Sequence, residues 1–309
     1  MSEQVSTNTG LTVVRPGVQT TLQDLGRYGG ARFGMSQGGA MDLHAHGWAN
    51  KLLANPVTCA TLEITIGMAA FRANSNLQLA IAGADMQALL DDQAVGQWCS
   101  FSMEKGQILT LKAARNGMRA YLAVKGGFQA ESVLGSVSTV FRNQLGRLLQ
   151  EGDHVFAAPS ISTASRYVPS RYIPEYSDEI ELRIIESYQV ADFSSQALEQ
   201  FYQSEYTVTQ DSDRMGVRLE GHPVTCSKEG IISEGLALGA IQIPADGQPI
   251  ILLNDRQTLG GYPKIGCVAR VDLPKLAQAR PGVVVRFSPV SITKARGEMR
   301  EFSRFFRLS

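Results

Sequence analysis

The stretch IILLNDRQTLGGYPKIGC, residues 250–267, decides the fold of the second half of the chain. It opens with an unbroken apolar run, which is typical of a strand that is covered on both faces. Polar residues follow at once. Gly260 and Gly261 then permit positive φ or a close backbone approach, and Pro263 stiffens the chain before a second β-rich run. The stretch therefore predicts two strands joined by a loop that carries an acid, two cations, an amide and a phenol.

This loop supplies most of the candidate site residues. Its neighbouring donors and acceptors could bind a compact ligand that carries both a carbonyl and an N–H group. A lysine held near an aspartate could also stabilise an oxyanion in a dry site. An ion-paired barrel rim explains the same residues without a ligand. The predicted catalytic residues are Lys264, Asp255 and Arg256, and the predicted substrate-binding residues are Gln257, Tyr262, Glu234, Arg214, Gln242 and Asn254.

Length and charge restrict the class of protein. A chain of 309 residues exceeds the usual size of one domain, so two domains are expected. The 29 basic and 29 acidic residues balance, so no global field attracts nucleic acid or an anionic membrane. We find no basic leader with an apolar run and no continuous apolar stretch of about 18 residues. A cytoplasmic protein is expected.

The composition indicates a mainly β fold with a few helices. Thirty glycines and few long amphipathic patterns favour short strands joined by tight turns. Between residues 61 and 124, β-prone runs recur about every ten residues, which indicates a barrel or a sandwich rather than βαβ units. The predicted helices start near Met41, Val190, Asp272 and Ile292. The predicted divisions are a disordered lead-in at 1–10, an N-terminal β-rich domain at 11–156, a linker at 157–178, and a C-terminal barrel domain with a terminal helix at 179–309.

Several kinds of chemistry lack their local marks. His44 and His46 would point about 200° apart on a helix, so they cannot share a metal and are expected at the surface or half-buried. No GxSxG elbow, GxGxxG after a strand, kinase signature or HExxH occurs. The loop 134–139 places three hydroxyl groups beside a glycine and could hold an anion, but it lacks the nucleotide P-loop pattern.

Several motifs, in this order, resemble one family. The first half contributes ArgProGly at 15–17 with ThrThrLeuGlnAspLeuGlyArg at 20–27, GlyGlyAlaMetAsp at 38–42, and LeuGlySer at 134–136. The second half contributes AspArgMetGly at 213–216, SerGluGly at 233–235, GlyAlaIleGlnIlePro at 239–244 and AspArgGlnThrLeuGlyGlyTyrPro at 255–263. Together they resemble the allophanate hydrolase subunit 2 type, also called the biotin-dependent carboxyltransferase-like family. Val137 departs from the arginine usual there, which weakens an anion-binding role for its loop.

The resemblance implies two β-barrel-like domains, the C-terminal one cyclophilin-like. The family includes the C-type subunit of the ATP-dependent 5-oxoprolinase, which opens 5-oxo-L-proline to glutamate. This function is favoured because no biotin-carboxylase segment and no biotin-attachment lysine is present. The partners it implies are a kinase-inhibitor-like subunit of the B type and a barrel subunit of the A type. ATP is expected in the assembled complex, and no bound metal or covalent biotin is expected on this chain.

The resemblance leaves two alternatives open. Relatives fused into urea carboxylase imply the carboxyltransferase component of a biotin-dependent enzyme that acts on urea. Other relatives imply a regulatory protein that antagonises an inhibitor of a histidine kinase. Both enzyme substrates carry a planar amide, which agrees with the donors and acceptors expected at Asp255, Arg256 and Gln257.

Overall fold

The computed structural model describes residues 9–308, and these residues group into two compact units. Unit 1 comprises the residues up to Arg27 together with 38–175 and 306–308, and unit 2 comprises 28–37 and 176–305. Most of the predicted lead-in at 1–10 lies outside the described residues, and the first strand begins at Gly10.

Residues 28–37 group with unit 2, although our prediction places them in the N-terminal domain. The Ser36 hydroxyl donates to the carbonyl of Arg256 at 2.8 Å, and Arg270 donates to the Tyr28 hydroxyl at 3.0 Å. These bonds join residues more than two hundred positions apart, so no local pattern in the sequence announces them.

Unit 1 is built from two antiparallel sheets. One has the order β11-β1-β4-β9-β6-β7 and the other β2-β3-β10-β5-β8, which is the sandwich alternative of the sequence analysis. The strands are β1 Gly10–Pro16, β2 Gln19–Gln23, β3 Thr61–Thr65, β4 Ala69–Ala73, β5 Leu77–Gly83, β6 Leu89–Leu90, β7 Gln93–Ala94, β8 Cys99–Met103, β9 Ile108–Leu111, β10 Arg119–Val124 and β11 His154–Phe156.

The core of unit 1 explains the apolar character of strand β5. Every residue of β5 is buried, because one face meets the other sheet and the other face meets helix α1, Leu43–Leu52. Phe71 from one sheet and Leu79 and Leu122 from the other belong to a single hydrophobic core. A strand covered on both faces shows no polar alternation, and β5 accordingly has a mainly apolar sequence, in which Gln78 is polar but also buried.

Helix α1 begins two residues after the predicted start at Met41. The Asp42 side chain accepts a hydrogen bond from the Ala45 amide at 2.9 Å and so caps the first turn. The expectation for His46 is wrong, because its ring is fully buried and contacts the Thr61 hydroxyl at 3.0 Å and the Val57 carbonyl at 2.8 Å. Burial lowers the pKa of His46, which favours the neutral ring.

The predicted linker at 157–178 follows the surface of unit 1 over part of its length. Ser160 accepts from the Gln78 amide at 2.6 Å, and the Arg166 amide donates to the Ser100 hydroxyl at 2.9 Å. The segment therefore satisfies its backbone along strands β5 and β8, although its composition indicates a free connector.

Unit 2 contains the remaining strands and helices. The strands are β12 Glu179–Glu186, β13 Tyr206–Val208, β14 Gly216–Gly221, β15 Glu234–Gly235, β16 Ala240–Gln242, β17 Ile250–Leu252, β18 Leu259–Gly260, β19 Lys264–Val268 and β20 Val284–Pro289. The helices are α2 Ser195–Gln203, α3 Leu273–Gln278 and α4 Ile292–Phe306, and a 3-10 turn spans Tyr188–Asp192.

A closed barrel of seven strands forms the body of unit 2. Its order is β12-β19-β16-β17-β14-β13-β20, and β20 returns to pair in parallel with β12. Strands β15 and β18 form a separate two-stranded ribbon. The opening stretch thus supplies β17, β18 and β19, which confirms the predicted barrel and the two predicted strands. Likeness to a cyclophilin stays a prediction.

Aromatic packing and one charged network complete unit 2. Phe201 of α2 stacks on Phe287 of β20 with ring centroids 4.6 Å apart. Asp272 stands directly before α3, as predicted, but its side chain makes no cap bond and instead accepts two hydrogen bonds from the Arg183 guanidinium. Arg183 also pairs with Glu298 at 2.8 Å, so α4 is held by charge as well as by its apolar face.

Candidate functional site

Lys264 and Glu234 form the centre of the site in unit 2. Lys264 begins β19 and is only 6% exposed, whereas about a third of the Glu234 side chain, 32%, meets solvent. The ammonium of Lys264 is ion-paired with the Glu234 Oε1 atom. An ammonium carries three donors, and Glu234 is its one side-chain acceptor among the described residues. Its other N–H groups have no acceptor among the described residues, although the nitrogen itself is buried.

Gln242 adds a second buried nitrogen beside Lys264. The two residues are paired across β16 and β19, next to a bulge, so their side chains lie close to each other. Gln242 is 2% exposed, and its Nε2 atom has no hydrogen-bond partner within residues 9–308. Leaving a buried donor unpaired costs about 1–3 kcal/mol of stability. The Gln242 amide therefore destabilises the folded chain.

A glycine makes this arrangement possible. Gly260 of β18 pairs with Glu234 of β15, and a Cβ atom at position 260 would lie 2.9 Å from the Gln242 Nε2 atom. Any larger residue would press on the amide and on Leu236, whose side chain lies 2.8 Å from the same point. The β15-β18 ribbon therefore covers Gln242 closely while it presents Glu234 to Lys264.

Tyr188 and Gln189 complete the site, and neither is among the predicted site residues. The Tyr188 hydroxyl donates to the Glu234 Oε2 atom, and Gln189 Nε2 donates to Glu234 Oε1 at 3.1 Å. Tyr188 is largely exposed, whereas Gln189 is buried. Their local signal is the polar tripeptide SerTyrGln directly after the β12 strand, and Gln189 lies 75 residues from Lys264.

The hydrogen bonds around Glu234 keep it charged. The contact with Lys264, followed by the contact with Tyr188, holds the pKa of the Glu234 carboxyl below its ordinary value. The same Glu234 contact raises the pKa of Tyr188, so the phenol stays protonated and donates. A carboxylate offers about four acceptor positions, and three donors reach this one. Glu234 can therefore accept one further N–H group.

Asp255 and Arg214 are engaged with each other. Two hydrogen bonds join them, from Arg214 Nε to Asp255 Oδ2 at 2.9 Å and from Nη2 to Oδ1 at 3.0 Å. Both residues are buried. This bidentate geometry satisfies the fork of the guanidinium and both carboxylate oxygens. A catalytic role for Asp255 and a substrate-binding role for Arg214 stay predictions, and the closed pair favours a structural role.

Arg256 donates to the backbone of unit 2. Its Nε reaches the Leu236 carbonyl at 3.0 Å and its Nη1 reaches the Leu253 carbonyl at 3.2 Å. Burial, with repulsion from Arg270, lowers the pKa of Arg256 to about 10. The guanidinium thus anchors the end of the β15-β18 ribbon, and its proposed catalytic role stays a prediction.

The last predicted residues surround this cluster in the sequence. Asn254 is buried next to Asp255, and Gln257 is half-buried. Tyr262 is 43% exposed and lies two positions before Lys264, on the loop that follows β18. The structure brings Lys264, Glu234 and Gln242 into one cluster, while Asp255, Arg214 and Arg256 serve contacts of their own.

The hydroxyl-rich loop of unit 1 binds an anion that belongs to the chain itself. The Asp24 carboxylate accepts from the hydroxyls of Ser136 and Ser138 and from the amides of Val137 and Gly26. The donors that an external phosphate would need are thus directed at Asp24, so this loop does not fit a nucleotide phosphate.

Metal-binding groups and membrane-spanning helices are both absent from residues 9–308. No group of three histidine, cysteine or acidic side chains in this range could hold a metal ion. No helix in the same range combines the length and the apolar character needed to cross a membrane.

The fold and the site define a class: a mainly β protein of two units, one of them a closed barrel with a buried ammonium, an unpaired amide and a carboxylate. Residues 33–289 match the family described as carboxyltransferase domain, subdomain A and B, and the chain belongs to this family. Among curated relatives, it is 35% identical to the C-type subunit of 5-oxoprolinase from Escherichia coli over 96% of each chain. It is also 35% identical to the protein of that name from Haemophilus influenzae over 90% of each chain.

A larger protein contains the same fold as one part. The crystal structure of the Kluyveromyces lactis urea carboxylase superimposes with a TM-score of 0.88 at 27% identity, covering 98% of this chain and 30% of that chain. The urea amidolyase of Saccharomyces cerevisiae is 28% identical over 93% of this chain and 17% of its own length. The chain therefore corresponds to one segment of these longer proteins.

Proposed function

We propose that this chain is the amide-binding subunit of an ATP-dependent 5-oxoprolinase, which opens 5-oxo-L-proline to L-glutamate together with partner subunits. The observation that carries the proposal is a pair of buried nitrogens beside the Glu234 carboxylate: Lys264 Nζ pairs with Glu234 and has N–H groups left over, and Gln242 Nε2 has no partner among the described residues. The name that two bacterial relatives share supports it.

The site is complementary to a lactam. A five-membered lactam presents its carbonyl oxygen and its N–H group along the same edge. The carbonyl oxygen would accept from Lys264 and Gln242, and the N–H group would donate to the free acceptor position on Glu234. A substrate that satisfies these buried donors relieves a cost that the free protein carries, which favours binding.

Lys264 is the proposed catalytic residue. Attack on the lactam carbonyl places negative charge on its oxygen, and an ammonium that is only 6% exposed stabilises that charge more strongly than a solvated one does. Glu234 keeps the ammonium in place and accepts from the ring nitrogen. Arg256 is the weaker candidate, since its guanidinium already donates to two backbone carbonyls.

The rest of the reaction is assigned to the assembled complex. We propose that the partners are a kinase-inhibitor-like subunit of the B type and a barrel subunit of the A type. ATP would supply the driving force there. Because the hydroxyl loop of unit 1 is directed at Asp24, we assign no ATP-dependent step to this chain.

The test is an assay of glutamate release in the complete complex. The three subunits are purified together and supplied with ATP and 5-oxo-L-proline. Replacing Lys264→Met should lower kcat on the order of 100- to 1,000-fold, as the loss of one preorganised oxyanion donor does. The matched control is Lys228→Met, because Lys228 pairs with Asp192 at 2.8 Å in the same unit but is half exposed.

Two results would contradict the proposal. One is the absence of glutamate release from the complete wild-type complex. The other is an equal rate for Lys264→Met and Lys228→Met in a complex that is active.

The alternative is carboxyl transfer to a urea-like substrate, and the likeness to the Kluyveromyces lactis urea carboxylase favours it. Urea also presents a carbonyl flanked by N–H groups, so the same three residues would bind it. This function requires a biotinylated partner. Capture of such a partner by the tagged chain, with bicarbonate- and ATP-dependent carboxylation of urea and no glutamate release, would establish the alternative.

A further inference from the structure

Gln189 occupies a special position beside Lys264. It is 5% exposed and lies in the 3-10 turn after β12. Its Oε1 atom accepts from the Lys264 backbone amide at 2.8 Å. Its Nε2 atom donates to Glu234 Oε1 at 3.1 Å and to the Tyr188 hydroxyl at 2.9 Å. One side chain therefore contacts the backbone of Lys264, the Glu234 carboxylate that pairs with its ammonium, and the Tyr188 hydroxyl that donates to that carboxylate.

The backbone of Lys264 is held from two sides by this turn. The Ser187 hydroxyl donates to the Lys264 carbonyl and accepts from the Gln189 amide at 3.1 Å. The β16-β19 ladder shifts its register between Ile241 and Gln242, next to Lys264. At such a bulge the ladder does not fix the backbone alone, so the Gln189 side chain supplies the missing acceptor.

From this geometry we propose that Gln189 is a positioning residue for the reaction: it fixes the Lys264 ammonium and the Glu234 carboxylate in the arrangement that receives the planar amide. This inference rests on the function proposed above. Gln189 does not need to touch the substrate, because all of its side-chain hydrogen-bonding groups are used inside the protein.

The charges around the cluster define what a substitution should change. Lys264 faces Glu234 from β19, Tyr188 and Gln189 face it from the 3-10 turn, and Asp192 acts on Tyr188 from the end of that turn. The Gln189 contact is one of the hydrogen bonds that lower the pKa of Glu234. Its loss should therefore raise that pKa.

The first experiment does not depend on activity. Carboxyl carbons of glutamate are labelled with ¹³C in the full chain, and the Glu234 signal is identified by its absence in Glu234→Gln. We expect the pKa of Glu234 to rise in Gln189→Met, which has a similar volume but no hydrogen-bonding group. In Gln189→Glu it should rise further, because a second carboxylate then faces Glu234 while the acceptor for the Lys264 amide is kept.

The second experiment measures the complete complex. Gln189→Met should lower kcat on the order of 10- to 100-fold, because the rate falls steeply when catalytic groups are displaced. It should also shift the acidic limb of the pH–rate profile to higher pH, because the pKa of Glu234 rises. In Gln189→Glu, lowering the pH should recover part of the rate, since the introduced carboxyl becomes a donor when it is protonated. The control is Gln203→Met, because Gln203 is an exposed glutamine in the same unit whose side chain donates to Glu199 at 3.0 Å, outside the cluster.

The two proposals fail in different ways. An unchanged pKa of Glu234 in both Gln189 variants overturns the positioning role, whatever the enzyme does. A shifted pKa with full activity of Gln189→Met in an active complex also overturns it. If Lys264→Met itself is fully active, the proposed function is overturned, and the titration then still reports whether Gln189 holds Glu234.

Discussion

Two ion pairs in unit 2 differ in how completely they are satisfied. In the Arg214–Asp255 pair, two parallel hydrogen bonds join the two buried groups. In the Lys264–Glu234 pair, a buried ammonium meets a carboxylate that is about a third exposed, beside the unpaired Gln242 amide. A charge pair that closes on itself serves the fold, whereas a pair with donors left over can serve a ligand. Within unit 2, the Arg214–Asp255 pair thus has the features of a structural ion pair, and the Lys264–Glu234 pair has those of a functional one.

The largest expected effect concerns the closed pair. Asp255→Ala removes the carboxylate that makes two hydrogen bonds with the buried Arg214 guanidinium, which should cost about 3–5 kcal/mol in the free energy of unfolding. The measurement is the free energy of unfolding from urea denaturation, monitored through a spectroscopic probe placed in unit 2. Glu205→Ala is the matched control, because the Arg286–Glu205 pair is exposed, with 58% of the glutamate side chain in solvent, and should cost less than about 1 kcal/mol. Equal losses in the two variants would break the distinction drawn between the pairs.

Much of the fold follows from the sequence. An unbroken apolar run marks a strand such as β17, since both faces of a central strand are covered. Strand β4, with the sequence AlaAlaPheArgAla, has no clear β pattern, because alanine has little preference for strands. It forms a strand because it pairs with β1 on one side and β9 on the other. The grouping of residues 28–37 with unit 2 is missed as well, because it depends on bonds between distant residues.

The candidate site is predicted only in part. Lys264 is found in the polar loop that follows β17, whereas Glu234 and Gln242 are found through the family motifs at 233–235 and 239–244. The sequence places Asp255 beside them, yet a carboxylate on a loop carries no sign of which cation it will meet. The role of Gln189 is not predicted either, because a glutamine that follows a strand carries no distinctive sequence pattern.

The Asp24 loop shows the limit of composition. Glycine next to several hydroxyls indicates an anion-binding loop, and the loop does bind an anion. That anion is a carboxylate of the same chain. Whether such donors face inward or toward a ligand depends on long-range contacts, here between residues more than a hundred positions apart.

A smaller effect should come from Gln242. Gln242→Leu removes a buried amide whose Nε2 atom has no partner in the described chain, so the free energy of unfolding should rise by about 1–2 kcal/mol. Activity in the complex should fall, because the substrate carbonyl loses a donor. Gln78→Leu is the control: its Nε2 atom is also unpaired, but its Oε1 atom accepts from Ser102 and Thr163. Gln78→Leu should be destabilised but fully active. If Gln242→Leu is also destabilised and its activity is unchanged, Gln242 has a structural role and does not bind the substrate.

The smallest expected effect is a pH dependence of stability that originates at Glu234. Its folded-state pKa is held below the ordinary value, first by Lys264 and then by Tyr188. The unfolded state therefore binds a proton more readily than the folded state, so the stabilisation is present above the unfolded pKa of about 4.3 and is lost as the pH falls through the folded pKa. The urea midpoints of the wild type and Glu234→Gln should differ at pH 7 and converge at pH 3. Tyr188→Phe should show a smaller pH dependence than the wild type, because it removes one of the donors to Glu234 while Lys264 remains. If the midpoint difference stays constant between pH 7 and pH 3, the charge of Glu234 does not stabilise the folded state. The proposal that Lys264 holds Glu234 as a charged acceptor for a ligand N–H group would then be contradicted.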